Sequence, residues 1–120
     1  MNSILIVDDE PNIVMALEYS LKKKEYEVLI ARDGEEALEI LAIEDPCVVI
    51  LDIMMPKIDG FEVLERIKGD VSKTCKVIFL SAKNKQEDIQ KGLDAGVDDY
   101  MSKPFSTKKL IEKIQRICKN

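Results

Sequence analysis

Groups able to act together on phosphorus stand at four places in this sequence: Asp8-Asp9, Asp52, Ser81 and Lys103. Each closes a stretch that reads as a β-strand. Ile4-Leu5-Ile6-Val7 leads to the acid pair, Val48-Val49-Ile50-Leu51 to Asp52, Val77-Ile78-Phe79-Leu80 to Ser81, and residues 97–101 to Lys103. A full charge at the end of a strand buried on both faces is costly unless cations or hydrogen bonds compensate it. Three carboxylates crowded together repel, and a hard divalent cation with oxygen ligands removes the repulsion. Mg²⁺ suits such a site because it accepts carboxylates and leaves positions for water and phosphate oxygens. One acid can then act as a nucleophile toward phosphorus, while the metal and an ammonium group share the charge on the transferred oxygens. Asp52, alone at its strand end, is the candidate acceptor, Lys103 the point charge and Ser81 a hydroxyl donor. Singly, each has a plainer role: Asp8 or Asp9 as a helix cap, Lys103 as a solvated lysine, Ser81 as a strand-end cap. Their recurrence at four strand ends is what points to a site.

The elements that must position them alternate along the chain. Strands are expected over Ser3–Val7, Tyr26–Ala31, Val48–Asp52, Lys76–Leu80 and Val97–Met101. The third is an unbroken apolar run, the habit of a strand inside a parallel sheet, and Pro56 forbids its continuation; the second is more amphipathic and so nearer an edge. Helices fill the gaps. Pro11 opens the first, with Ile13, Leu17 and Leu21 at helical spacing and Lys22-Lys23-Lys24 at its end. Asp33, Asp59, Asn84 and Ser106 are placed to cap the other four; the first three are followed three residues later by Glu36, Glu62 and Glu87. The apolar positions are Ala37, Leu38 and Leu41, then Leu64 and Ile67, then Ile89 and Leu93, and finally Leu110, Ile111, Ile114 and Ile117. Gly96 is a plausible helix-ending glycine, whereas Gly92, inside a helix, has no explanation in the sequence. Strands alternating with helices predict an α/β chain with a parallel sheet covered on both faces, over residues 1–120 as one domain. With the strands ordered 2-1-3-4-5, those bearing Asp8-Asp9, Asp52, Ser81 and Lys103 are contiguous and face one crevice.

Composition sets the bounds. The 120 residues are 46% hydrophobic and 34% charged, ordinary for a soluble globular chain. A net charge of −5 argues against nonspecific contact with nucleic acid or an acidic membrane surface. No apolar stretch approaches a bilayer's span and no signal peptide opens the chain, so the expected address is cytoplasmic. Cys47, Cys75 and Cys118 are odd in number and lack paired spacing; they read as reduced core or surface residues rather than a disulfide or zinc site. The absence of histidine excludes imidazole catalysis within the chain.

In this order and spacing, Ile6-Val7-Asp8-Asp9-Glu10-Pro11, Leu51-Asp52-Ile53-Met54-Met55-Pro56, Asp59-Gly60, Leu80-Ser81-Ala82-Lys83 and Tyr100-Met101-Ser102-Lys103-Pro104-Phe105 resemble the receiver domain of two-component response regulators. The resemblance covers essentially the whole chain. It implies a doubly wound, flavodoxin-like (βα)5 fold in three α/β/α layers. It implies that Asp52 accepts phosphate from a phosphohistidine on a sensor histidine kinase or phosphotransfer protein. Mg²⁺, with Mn²⁺ as a substitute, would be held by Asp9, Asp52 and the Met54 carbonyl, and by Asp8 through water. Lys103 would pair with the phosphoryl group, and Lys103-Pro104 would be a cis peptide. In the family's switch Ser81 moves toward the phosphoryl oxygen and Tyr100 turns inward, remodelling the surface of the fourth helix, fifth strand and last helix. Tyr100 has a plain alternative as a half-buried strand aromatic. Serine at 81, where threonine is also common, keeps the hydroxyl without the methyl. Lys83, two residues on, would act on water access to the phosphoryl group.

On the first helix Asn12, Ala16 and Tyr19 lie beside the buried stripe, where the family docks its kinase with the Pro104-Phe105 loop close by; Tyr19 could equally just cover the core edge. An output domain or effector would read the switch. Asp98-Asp99 and Lys108-Lys109 flank the switch surface and could support a symmetric homodimer, or simply be solvated. A flavodoxin-type flavin protein shares the fold class, but Asp8-Asp9-Glu10-Pro11 would repel the phosphate its first loop must cradle. A phosphohydrolase with an aspartyl nucleophile usually carries a second acid two residues after the first, where this chain has Met54. A receiver-like module that no longer takes phosphate would not need the complete acid, hydroxyl and lysine set. The chain therefore reads as a phosphoacceptor switch that catalyses only its own phosphorylation and dephosphorylation.

Overall fold

A computed structural model of the chain describes residues 2–54, 58–81 and 86–118. Strands and helices alternate: β1 Ser3–Val7, α1 Pro11–Lys23, β2 Glu27–Ala31, α2 Gly34–Leu41, β3 Val48–Asp52, α3 Gly60–Gly69, β4 Lys76–Ser81, α4 Gln86–Asp94, β5 Asp99–Ser102 and α5 Thr107–Ile117. The strands form a parallel sheet in the order β2-β1-β3-β4-β5, as expected. Alternation along each strand sends side chains to opposite faces. Leu5, Val7, Val49, Leu51, Val77 and Phe79 pack with Ala37, Leu41, Val63, Leu64 and Ile67 of α2 and α3. Ile4, Ile6, Val48, Ile50, Ile78 and Leu80 pack with Leu17 and Leu21 of α1 and Leu110, Ile111 and Ile114 of α5. Helices thus cover both faces of a sheet whose central strand, β3, is buried along its whole length. Among the described residues no helix is long and apolar enough to cross a membrane.

Local chemistry sets the helix ends. The Asp33 side chain accepts the Glu36 N–H, Asp59 that of Glu62 and Ser106 that of Lys109. The Glu36 carboxylate reaches back to the N–H of Arg32 at 3.2 Å, one residue earlier than a capping box would place it. The expected cap at Asn84 lies outside the described residues, as do Pro56, Ala82 and Lys83. At the far end of α4, Val97 N–H bonds to Gly92 O and Gly96 N–H to Leu93 O, with Gly96 at φ +95. This paired closure needs a residue free to enter the left-handed region. It also shortens the fifth strand: Val97 belongs to the helix end, and pairing begins at Asp99 rather than Val97. Leu93 proves half exposed. Gly92 gains the reason the sequence lacked: a Cβ there would stand 2.9 Å from the Phe79 ring, so only glycine lets α4 lie this close to β4.

One expectation is overturned. Cys47 and Cys118 are joined in a disulfide with Cα atoms 6.0 Å apart, and only Cys75 is free. The pairing has no local spacing signal because 71 residues separate the two. It arises in three dimensions: one cysteine enters β3, the other leaves α5, and both join the core under α1 and α5.

Candidate functional site

Parallel register carries each functional side chain to the same edge of the sheet. Val7 lies beside Leu51, Asp52 beside Leu80 and Ser81 beside Ser102. Asp8, Asp52, Ser81 and Lys103 therefore stand at the carboxyl ends of four neighbouring strands, where open α/β sheets bind ligands. Asp8 and Asp52 are almost wholly buried, and so is Ser81. The backbone N–H of Lys103 donates to Ser81 O at 2.7 Å, fastening the end of β5 to the end of β4, and the Lys103–Pro104 peptide is cis.

The acids converge. Asp8, Asp9 and Asp52 each offer a carboxylate oxygen within 4.8 Å of the others. Asp8 Oδ1 accepts the N–H of Glu10 at 3.0 Å, just ahead of α1; the helix itself starts from Glu10 without a side-chain cap. Asp8 Oδ2 is buried and has no hydrogen-bond partner, although the Lys103 ammonium lies 3.1 Å away as an ion pair. Asp52 Oδ1 accepts the N–H of Met54 at 3.2 Å, which sets the exposed Met54 peptide beside the acids. Behind Asp52, Gly60 opens α3 with its N–H on Ile53 O at 3.1 Å. A Cβ on Gly60 would fall 2.9 Å from the Asp52 carbonyl oxygen, so α3 can seat against the strand end only with glycine there.

Lys103 is shared. Its Nζ lies 3.0 Å from Glu10 Oε1, 3.1 Å from Asp8 Oδ2 and 3.5 Å from Asp52 Oδ2. Burial alone would lower its pKa, but Glu10, Asp52 and Asp8 outweigh that and hold the ammonium above its ordinary value. Burial pushes the Asp52 carboxyl above its ordinary range. Asp8 adds to the push, and Lys103 and the Met54 N–H oppose it without prevailing. One ammonium divided among three carboxylates leaves the buried acids short of positive charge. Glu10 is the group that sequence reasoning missed. Its adjacency to the acid pair was the available signal, but nothing local shows that it faces Lys103.

The donor set fits a hard divalent cation. All three acids are oxygen donors, one buried oxygen has only the shared Lys103 ammonium beside it, and the cluster carries more negative charge than Lys103 balances. Around the site's rim, a groove of about 450 Å³ is lined in part by Asn12, Ala16, Pro104 and Phe105. Three of the four expected partner-face residues are thus together. Tyr19 is not with them: it is exposed and lines a neighbouring groove between α1 and α5, where Lys23 stands over its ring at 5.1 Å. Tyr100 sits on β5 with 38% of its surface exposed. Asp98 and Asp99 are engaged within the chain, with Lys68 at 2.9 Å and Lys113 at 2.8 Å.

Over residues 4–115 the chain matches the family described as the response regulator receiver domain. It is 40% identical over 116 residues, 97% of its length, to the alkaline phosphatase synthesis transcriptional regulatory protein PhoP of Bacillus subtilis, and it spans about half (48%) of that relative. Among solved structures, the receiver domain of Francisella response regulator 1452 is 31% identical with a TM-score of 0.89, over 98% of this chain and 96% of that one. The chemotaxis response regulator CheY4 of Vibrio cholerae is 30% identical with a TM-score of 0.90, over 98% and 99%.

Proposed function

The chain belongs to the response regulator receiver family, and from that premise we propose that Asp52 accepts a phosphoryl group from a phosphohistidine on a partner kinase in a Mg²⁺-dependent reaction. The observation that carries this reading is the convergence of Asp8, Asp9 and Asp52 beside a lysine 10% exposed, at the carboxyl edge of the sheet. Asp9, Asp52 and the Met54 carbonyl, with Asp8 through water, would hold the ion. When bound it neutralises the acids and shares the charge on the phosphoryl oxygens. Asp52 supplies the nucleophilic oxygen; the Met54 N–H holds its other oxygen, fixing the direction of attack. Lys103 gives up part of its pairing with Glu10 and Asp8 to meet the arriving oxygens, and Ser81 donates its hydroxyl to another. The acyl phosphate then hydrolyses slowly, so the domain over residues 1–120 works as a switch.

The switch runs through Ser81 to Tyr100, which turns inward from its exposed position and changes the surface of α4, β5 and α5. An output domain or effector reads that surface; the transcriptional regulator PhoP, of which this chain matches about half, offers a precedent for a longer protein. A phosphorylated homodimer through the same face would exchange the Asp99–Lys113 pair for contacts across the interface. The kinase docks on α1 beside Phe105, in the cytoplasm.

Replacing Asp52 by Asn will abolish Mg²⁺-dependent phosphorylation by the kinase or by a small acyl-phosphate donor, and chelating the metal will do the same to the parent. Stable phosphate on another residue of the variant would refute the assignment. Steady turnover of a phosphate ester by the parent would favour a phosphohydrolase instead.

A further inference from the structure

We propose that Cys47 and Cys118 form a reversible thiol–disulfide site that fastens the end of α5 to the start of β3. Their Cα separation of 6.0 Å lies inside the span that a disulfide bridges without backbone movement. The two sides of the pair are held differently. Cys47 is tied into the sheet, its N–H on Ser3 O at 2.8 Å and its carbonyl accepting Lys76 N–H at 3.0 Å. Cys118 follows the last turn of α5, its N–H on Ile114 O at 2.7 Å and its carbonyl accepting the Tyr26 hydroxyl at 3.4 Å. With the bridge open, burial of Leu110, Ile111 and Ile114 still docks the helix, so reduction frees the last turn without unfolding α5.

Access and selectivity are built in. Cys47 is partly exposed and offers the entry point, whereas Cys118 is 2% exposed and meets only a partner already in place. Cys75 packs in the core on the opposite face of the sheet, so it cannot join the exchange. The substrate class is a low-molecular-weight disulfide. The Cys47 thiolate attacks one of its sulfurs, that S–S bond breaks, and one thiol leaves. Cys118, losing its proton, then attacks the Cys47 sulfur and expels the second thiol. Two protein thiols become one disulfide, and the reagent takes both electrons and both protons as two small thiols. A dithiol reductant runs the exchange backward. In a reducing compartment the open form prevails, and closure reports oxidation.

The test equilibrates the full chain with graded mixtures of a small disulfide and its thiol, then counts thiols in denaturant and maps peptides. The expected result is a fall from three free thiols to one, with a Cys47–Cys118 peptide, Cys75 unmodified, and full recovery on adding a dithiol. The closed form should melt several degrees above the open form. Cys47→Ser and Cys118→Ser should each melt like the reduced parent and lose the redox-dependent shift; either alone suffices if the other folds poorly. Adducts that stop at Cys47, oxidation of Cys75, a bridge that dithiols do not open, or equal melting of both forms would overturn the proposal. The phosphoacceptor reading does not enter this test.

Discussion

A lysine divided among three carboxylates neutralises none of them fully, and Asp52 shows the consequence. Its carboxyl is held above the ordinary 3.8 because burial outweighs the Lys103 pairing. Between 3.8 and that raised value the folded chain binds more protons at Asp52 than the unfolded chain does. Stability from this group therefore falls as pH rises through that window, and the whole cost is present at neutral pH. Asp52→Asn removes the cost. In metal-free buffer at pH 7 the variant should gain on the order of 1 kcal/mol over the parent, and the gain should fade as pH approaches 4. Thermal unfolding with a chelator present measures both; an Asn variant that melts below the parent at pH 7 would show that pairing, not burial, dominates. At neutral pH Lys103 contributes in the opposite direction: its raised value means that its ion pairs stabilise the fold while the carboxylates are ionised, and that stability is lost as pH rises from 10.5 through the folded value.

At the scale of elements, Gly92 separates what is local from what is not. Alanine there would gain about 1 kcal/mol in helix propensity. Against that, its Cβ would press on the Phe79 ring, which is 1% exposed and meets the Phe61 ring edge-on at 5.4 Å, so it has little room to recede. Overpacking should win: Gly92→Ala should lose about 1–2 kcal/mol net, read as a lower midpoint in urea. A higher midpoint would mean that α4 simply shifts away. The caps Asp33, Asp59 and Ser106 and the apolar run of β3 were legible because their causes lie within a few residues. Gly92, the late start of β5 and the exposure of Leu93 were not. Each depends on how α4 meets the sheet, and no window of sequence contains that contact.

At the scale of the molecule, the strand order brings Asp8, Asp9, Asp52, Ser81 and Lys103 to one edge, and that convergence was legible because each followed a recognisable strand. The roles of Glu10 and the Cys47–Cys118 pair were not, since both depend on partners 93 and 71 residues away. The groove beside Phe105 gives the docking proposal its test. Ala16→Arg should slow phosphotransfer from the kinase at least about tenfold, an interface cost above 1 kcal/mol, while leaving labelling by a small donor unchanged. Unchanged kinase transfer would remove α1 as the docking face. The central claim, that Asp52 is the acceptor in a Mg²⁺-dependent site, is tested most directly by treating the chain with a small acyl-phosphate donor, trapping the product with borohydride and mapping the peptides. The account predicts homoserine at position 52 when Mg²⁺ is present and none when it is chelated. Trapping at another acid, or equal trapping without the metal, would contradict it.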